Sequence, residues 1–208
     1  MRFKTCVVPA AGLGLRTRYP DRLKCLLEAD GKSLLEHTVR FWSEHAEEFV
    51  IVVREGVSEI AALMDRLDVK WGPAWQRSPE GMSNAIMDGA RVAQDGTIMV
   101  ALADCLFDGR FDWPPEPFNG LAVKSAGQTH DDWERSYAVS VKEGEILGAI
   151  EKPILGLGAW FFKDKDNLEA MFAYSTPWWR RVIGLRAVSF TGEYMNVTYG
   201  EDLNRWGI

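Results

Sequence analysis

The chain has 208 residues, of which 47% are hydrophobic and 26% are charged, a composition typical of a folded globular protein. Its formal net charge of −6 argues against a surface that neutralises a nucleic-acid backbone, because such surfaces carry an excess of basic residues. No apolar run reaches the roughly 18 to 20 residues that are needed to span a bilayer. We therefore expect neither a nucleic-acid nor a membrane partner.

The three cysteines, Cys6, Cys25 and Cys105, are an odd number without regular spacing, which favours reduced thiols. The opening residues MRFKTCVVPAAG lack the long apolar stretch and the cleavage site of a secretory signal. These features predict a cytoplasmic protein. Cys25 and Cys105 adjoin Lys24 and Asp104, and if either thiol lined a pocket, a thiol reagent should inhibit the protein.

Strands and helices alternate along the first half of the chain. Apolar or β-prone runs at 5–9, 49–53, 69–75 and 97–103 predict strands, and apolar residues at helical spacing in 33–45, 58–67 and 81–93 predict helices. This alternation predicts right-handed crossovers and a Rossmann-like, mainly parallel sheet with helices on both faces. Ligands bind such a sheet at the carboxyl ends of its strands, where both the loop after the first strand and Asp104 fall.

The pattern changes beyond Asp108. The segment FDWPPEPFNG predicts a loop, and runs at 120–127, 136–150 and 156–162 predict antiparallel strands, the second of which turns at Glu143 and Gly144. A helix over 167–174, a strand over 186–190 and a helical turn over 200–206 complete the chain. The second half is thus predicted to append an antiparallel β layer to the α/β half.

The stretch VVPAAGLGLRTRYPDRLK, residues 7–24, leads from the first strand into a glycine-rich basic loop. A dinucleotide fingerprint needs a third glycine where Thr17 stands, and a P-loop needs a glycine where Leu26 stands. Two interpretations stay open from the loop alone: an open phosphate-binding loop, or a βα connection whose glycines serve only its turns. The anion-binding groups of the first interpretation would be Gly12, Gly14, Arg16 and Lys24.

The order of several further motifs distinguishes between these interpretations. The loop GLGLR with its following lysine is similar to the G-x-G-x-R…P-K loop of the sugar-phosphate nucleotidylyltransferases, the pyrophosphorylases that make nucleotide sugars. Four later segments resemble that family's base-recognition segment, metal-binding aspartate turn, glutamate-lysine-proline step and closing segment. They are WQRSPEGMSNAI (75–86), LADCLFDG (102–109), IEKP (150–153) and MNVTYGEDL (195–203).

The resemblance implies a nucleotide-diphospho-sugar transferase-like fold and an enzyme of the EC 2.7.7 type. It implies a single domain over 1–208, with a nucleotide-binding half at 1–110 and an acceptor-binding half at 111–208. The implied reaction is Mg²⁺-dependent transfer of a nucleoside monophosphate from a nucleoside triphosphate to a sugar 1-phosphate, which releases pyrophosphate. The base, the acceptor and the oligomeric state do not follow from the sequence.

The family's functional positions carry over to specific residues of this chain. Nucleotide contacts are implied for Ala10, Ala11, Gly12, Gly14, Gln76 and Gly81. Catalytic charges are implied for Arg16, Lys24 and Lys152, acceptor contacts for Glu151 and Lys152, and Mg²⁺ ligands for Asp104 and Asn196. Each residue also has an ordinary structural interpretation, such as a strand-end cap for Asp104 or a surface ion pair for Glu151 and Lys152.

Two residues depart from the family pattern. Leu23 stands where the family has proline, which puts the rigidity of the loop before Lys24 in doubt. Asn196 stands where many relatives have aspartate, and we expect it to bind Mg²⁺ more weakly. Asp202, shortly after it, is expected to be either an outer partner of the metal site or the cap of the last helical turn.

Two alternative functions remain open at this stage. The first is a cytidylyltransferase that acts on phosphocholine or another small phosphorylated acceptor. Trp133, Trp160, Trp178 and Trp179 would then supply an aromatic box for a quaternary ammonium group. The second is a non-catalytic nucleotide-binding regulator with the same fold, which the departures at Leu23 and Asn196 favour.

Overall fold

The computed structural model describes residues 1–12, 19, 22–77, 81–125, 137–148, 154–172 and 182–206. Its α-helices are α1 (Leu34–Trp42), α2 (Val57–Arg66), α3 (Gly81–Val92) and α4 (Lys165–Phe172), with 3-10 helices at Lys24–Leu26 and Gly200–Asn204. Its strands are β1 (Phe3–Pro9), β2 (Glu28–Ala29), β3 (Lys32–Ser33), β4 (Ala46–Val53), β5 (Trp71–Trp75), β6 (Ile98–Ala101), β7 (Cys105–Phe111), β8 (Gly120–Ser125), β9 (Tyr137–Ala138), β10 (Ser140–Lys142), β11 (Glu145–Gly148), β12 (Ile154–Phe162) and β13 (Arg186–Asn196).

Within the described ranges, eleven of these strands form one mixed sheet in the order β10-β11-β13-β8-β12-β6-β1-β4-β5, with β7 beside β13 and β9 beside β12. Strands β6, β1, β4 and β5 are mutually parallel. Strand β12 pairs antiparallel with both β6 and β8, so the antiparallel strands of the second half continue the sheet sideways. The predicted fold class is confirmed. Strands β2 and β3 form a separate small antiparallel sheet.

Helices cover both faces of the sheet, as the continuous apolar run of β4 predicts. Phe49, Ile51 and Val53 join one buried cluster with side chains of α1 and α2, whereas Val50 and Val52 join a second cluster with side chains of α3 and α4. Successive side chains of a strand point to opposite faces, so every residue of this run is buried. Among the helices that the structure describes, none combines the length and the apolar character required to cross a bilayer.

The last strand is longer than the sequence predicted. Strand β13 continues beyond Phe190 to Asn196 because it pairs with β7, and the pairing runs from Phe190 opposite Phe111 to Asn196 opposite Cys105. Beyond Phe190 its side chains are exposed or partly buried and lack an apolar alternation, although Tyr194 and Met195 pack against buried clusters. The apolar pattern therefore does not predict the extension. The first helix is shorter than predicted and ends at Trp42.

Helix α3 packs closely on the sheet at Gly89. A Cβ atom at this position would lie 2.4 Å from Val7 Cγ1 and 2.9 Å from Val52 Cγ2, and both of these side chains are buried. The absence of a side chain at Gly89 therefore sets the distance between α3 and strands β1 and β4.

We expect Gly89→Ala to lower the free energy of unfolding by about 1 to 3 kcal/mol, because overpacking outweighs the better helix propensity of alanine. Urea denaturation measures the change. The matched control is Gly72→Ala on β5, where no atom lies within 4 Å of the added carbon. We expect that variant to stay within about 0.5 kcal/mol of the wild type. Equal stabilities of the two variants would contradict the packing argument.

Candidate active site

A cleft of about 560 Å³ opens where strands β6, β1, β4 and β5 end. The resemblance implied roles for twelve residues, and all those that the structure describes line this cleft: Ala10, Ala11, Gly12, Lys24, Gln76, Gly81, Asp104 and Asn196. The other four, Gly14, Arg16, Glu151 and Lys152, lie outside the described residues. The predicted residues in the cleft are therefore up to 186 positions apart in the chain, from Ala10 to Asn196.

The floor of the cleft is fixed by hydrogen bonds between neighbouring strand ends. The backbone N–H of Ala10 donates to the carbonyl of Val52 at 2.9 Å, and the N–H of Gln76 donates to the carbonyl of Val53 at 2.9 Å. The ladder of parallel strands thus continues one residue past β1 and β5. As a result, the loops that carry Ala10 and Gln76 leave the sheet on either side of Arg54.

An ion pair joins the two oppositely charged residues that the resemblance placed in the catalytic centre. Lys24 Nζ donates to Asp104 Oδ2 at 2.5 Å. The Lys24 side chain is 15% exposed and that of Asp104 is 31% exposed, so both charges are partly shielded from water. Lys24 begins a 3-10 helix, and Asp104 lies in the turn that Cys105 N closes onto the carbonyl of Leu102. Both side chains also face the cleft.

Leu23, which precedes Lys24, has backbone dihedral angles that a proline would also adopt. Its φ is −61° and its ψ is 125°, and the ring of proline fixes φ at about −65°. The leucine side chain packs against Gly56, where an added Cβ would lie 2.0 Å from Leu23 Cδ1. Gly56 itself has a φ of +66°, which favours glycine. Side-chain packing here takes the place of the ring that the family pattern supplies.

Asn196 is held beside Asp104 by backbone contacts. Asn196 pairs with Cys105 in the β13–β7 ladder, and the next N–H, that of Val197, donates to the carbonyl of Asp104 at 2.8 Å. The fully buried Asp202 accepts hydrogen bonds at Oδ2 from the N–H groups of Thr198 at 2.9 Å and Tyr199 at 2.8 Å. Asp202 therefore fixes the segment that follows Asn196.

The cleft offers a cation the carboxylate of Asp104 and the amide of Asn196. Both present hard oxygen donors. Mg²⁺ is commonly bound by one or two such protein groups and completes its coordination with phosphate oxygens and water. The donor chemistry of these residues therefore fits Mg²⁺, with Lys24 as an existing partner of the same carboxylate.

One wall of the cleft is made of small or slender side chains. Ala10, Ala11, Met82 and Ala85 line it together with Gly81, which has a φ of +77° and open space where a Cβ would stand. Alanine and glycine contribute little side-chain volume, so this wall leaves room for a flat group. Behind it, the buried carboxylate of Asp88 accepts a hydrogen bond from the N–H of Arg77 at 2.8 Å and ties the segment after Gln76 to α3.

Among the polar and charged residues that line the cleft, Arg54, Thr198 and Tyr199 have no role predicted from the sequence. Arg54 had a usable signal, because it directly follows a buried strand at the sheet edge that the glycine loop occupies. Thr198 and Tyr199 lie in the segment 195–203 that resembles the family's closing segment, but the resemblance assigned them no role. Conversely, Trp160 is 1% exposed in the core and does not form part of an aromatic box, while Trp133, Trp178 and Trp179 lie outside the described residues.

Cys25 lines the cleft but is only 3% exposed. Burial raises the pKa of its thiol to about 12. Cys105 is buried beneath Asp104, and burial followed by the nearby carboxylate raises the pKa of that thiol as well. Both cysteines therefore remain neutral thiols at physiological pH, in keeping with small apolar residues.

We expect iodoacetamide to alkylate Cys25 slowly, because only the thiolate reacts and about one thiol in ten thousand is ionised at pH 8 when the pKa is about 12. The rate should rise about tenfold per pH unit from pH 7 to 9.5 without levelling off. Mass spectrometry measures the labelling. The urea-unfolded protein is the control, and its thiol should react faster and level off near an ordinary thiol pKa. Rapid labelling of the folded protein at pH 7 would contradict the burial of Cys25.

Comparison with known proteins identifies the family of this chain. Residues 6–110, just over half of the chain, match the family model described as MobA-like NTP transferase domain. Among curated proteins, none matches this sequence.

Solved structures show the same fold at low sequence identity. The inositol-1-phosphate CTP transferase from T. maritima is 18% identical, with a TM-score of 0.84 over 98% of this chain and 93% of that one. A UDP-glucose pyrophosphorylase in complex with UDP-glucose is 16% identical, with a TM-score of 0.79 over 98% and 96%. The UDP-glucose pyrophosphorylase from Acinetobacter baumannii is 15% identical, with a TM-score of 0.72 over 97% and 90%. Because the family model matches just over half of this chain, the chain belongs to the MobA-like NTP transferase domain family and is a nucleotidyltransferase of the EC 2.7.7 type.

Proposed function

We propose that the protein transfers a nucleoside monophosphate from a nucleoside triphosphate to a sugar 1-phosphate in a Mg²⁺-dependent reaction, which yields a nucleotide sugar and pyrophosphate. The observation that carries the proposal is the Lys24–Asp104 ion pair, which faces a cleft that a wall of small residues and Asn196 also line. Charge and space for a nucleotide thus occur together at the carboxyl ends of the parallel strands.

In this reaction, an oxygen of the acceptor phosphate attacks the α-phosphorus of the triphosphate. A new P–O bond forms there while the bond to the bridging oxygen breaks, and pyrophosphate leaves with the electron pair. Both reactants are anions, so neutralisation of charge and alignment of the two groups supply most of the catalysis. The reaction needs no covalent nucleophile on the protein.

Lys24 would stabilise the negative charge that develops at the α-phosphate, while Gly12, Gly14 and Arg16 would hold the β- and γ-phosphates. Asp104 and Asn196 would hold Mg²⁺, which when bound neutralises phosphate oxygens. Because Lys24 donates to Asp104, an arriving triphosphate would offer this lysine new oxygen acceptors. The carboxylate of Asp104 would thereby become available to the cation.

Residues 1–110 would bind the nucleotide and residues 111–208 the acceptor, within a single domain. Ala10 and Ala11 would pack under the base, Gln76 and the backbone of Gly81 would contact its edge, and Glu151 and Lys152 would bind the acceptor. Two of the similar structures are named for inositol 1-phosphate and for UDP-glucose, which supports a phosphorylated sugar or sugar-like acceptor.

The direct test is pyrophosphate release with Mg²⁺, each of the four ribonucleoside triphosphates or dTTP, and a panel of sugar 1-phosphates plus phosphocholine. We expect release to require one nucleotide and one sugar 1-phosphate. Lys24→Ala and Asp104→Ala should each lower kcat by about 10²- to 10³-fold, the loss typical of removing one charge-stabilising group.

The matched control is Lys4→Ala, which removes the exposed ion pair between Lys4 and Glu47 at the far end of β1. Its kcat should equal that of the wild type, because exposed pairs contribute little. Release with phosphocholine alone would instead establish the second type of acceptor. Tight nucleotide binding without release for any acceptor would favour the non-catalytic regulator.

Asn196→Asp tests the proposed metal position separately. A second carboxylate should attract Mg²⁺ more strongly than an amide, so the Mg²⁺ concentration that gives half the maximal rate should fall about tenfold or more. The measurement is a Mg²⁺ titration of the initial rate at a saturating nucleotide concentration. Asn204→Asp, at the end of the last 3-10 helix, adds the same charge outside the cleft lining and should leave the titration unchanged.

A further inference from the structure

Arg54 occupies a part of the cleft to which no role has been assigned. It directly follows β4, and its side chain lines the cleft in a partly buried setting. Strand β4 lies between β1, which leads to Ala10 and Ala11, and β5, which leads to Gln76. Arg54 is therefore flanked by the small-residue wall on one side and by a side-chain amide on the other.

The order of the strands separates Arg54 from the charged end of the cleft. Asp104 follows β6, which is two strands away from β4, and neighbouring strands lie about 4.8 Å apart. Arg54 and Asp104 thus leave the sheet roughly 10 Å apart. If the α-phosphate lies at Lys24 and Asp104, the nucleoside extends along the strand ends towards Arg54 and Gln76.

The guanidinium of Arg54 is available to a ligand. In the part of the chain that the structure describes, no carboxylate forms an ion pair with it and no acceptor receives a hydrogen bond from it. A planar fork of N–H donors matches two adjacent acceptors on one edge of a partner, a geometry that a lysine ammonium does not reproduce.

Only some nucleobases offer such an edge. Cytosine presents O2 and N3 side by side, and guanine presents O6 and N7, which is the pair that arginine commonly reads in DNA. Uracil and thymine place an N–H between their two carbonyl oxygens, and adenine places an amine beside N7. A forked donor at this position therefore discriminates between bases by the arrangement of their acceptors.

We propose that Arg54 is a base-selecting residue of the nucleotide site, which binds a base with two adjacent acceptors, cytosine or guanine, in preference to uracil, thymine or adenine. This inference rests on the proposed function. Gln76 follows the neighbouring strand β5 and lines the same cleft, and its amide would contact the same base edge.

The test compares kcat/KM for CTP, GTP, UTP, dTTP and ATP with the best acceptor, and the affinities of the five nucleotides by calorimetry. The wild type should prefer CTP or GTP by about 10- to 100-fold, and the preferred one of the two identifies the base. Arg54→Lys, which keeps the charge but loses the fork, and Arg54→Met should both reduce this preference to less than about threefold. Neither variant should appreciably lower the affinity for UTP.

Arg110→Met on β7 is the matched control, because Arg110 is exposed, lies six residues along the chain from Asp104 and is not part of the cleft lining. It should keep the wild-type preference. A wild-type preference for UTP, dTTP or ATP would overturn the inference. A second outcome would also overturn it: Arg54→Met binds all five nucleotides more weakly by the same factor, whereas Arg54→Lys binds them as the wild type does. That result would identify Arg54 as a phosphate contact.

The two proposals fail in different ways. Base-dependent binding that requires Arg54, without turnover for any acceptor, would overturn the proposed transfer reaction and uphold the role of Arg54. Turnover with a base preference that survives in Arg54→Met would uphold the transfer and overturn the role of Arg54. Equal thermal unfolding midpoints of the variants and the wild type ensure that these comparisons report on the site.

Discussion

Four neighbouring strands, β6, β1, β4 and β5, run in the same direction and end at one edge of the sheet, and the cleft depends on this alignment. Each strand end delivers one element of the site: Asp104, the loop that starts at Ala10, Arg54 and Gln76. Helices pack on both faces of the sheet, and the buried clusters that they form with the strands stabilise this arrangement. The edge is the place where the packed layers leave polar groups accessible.

The charged centre depends on contacts between elements that are distant in the chain. Lys24 reaches Asp104 from a 3-10 helix that the packing of Leu23 against Gly56 helps to position. Asn196 belongs to the second half of the chain, and the pairing of β13 with β7 places it in the cleft. Because each of these three residues is held by a different element, the site forms only when these elements pack together. Partial shielding from water strengthens the ion pair.

The departures from the family pattern have physical substitutes in the structure. Leu23 adopts the φ of proline and is held by packing, so the proline is not required for that conformation. Asn196 still presents an oxygen beside Asp104, and the buried Asp202 fixes the backbone that follows it. Trp160, one of the four tryptophans considered for an aromatic box, is buried in the core and is not available for such a box. The substitutions thus preserve the framework of the cleft in the region that the structure describes.

The sequence by itself determined the alternation of strands and helices, the Rossmann-like class and the cleft residues that lie directly after buried strands, because apolar periodicity reports which faces a segment buries. It also predicted Lys24 and Asp104 through the resemblance. It could not predict the length of β13, because those residues pair through backbone groups that every sequence carries. The positions of Thr198 and Tyr199 in the cleft and the burial of Trp160 and Cys25 likewise required the tertiary structure. The neighbours of a side chain are set by strand order and register, which arise from contacts between distant segments.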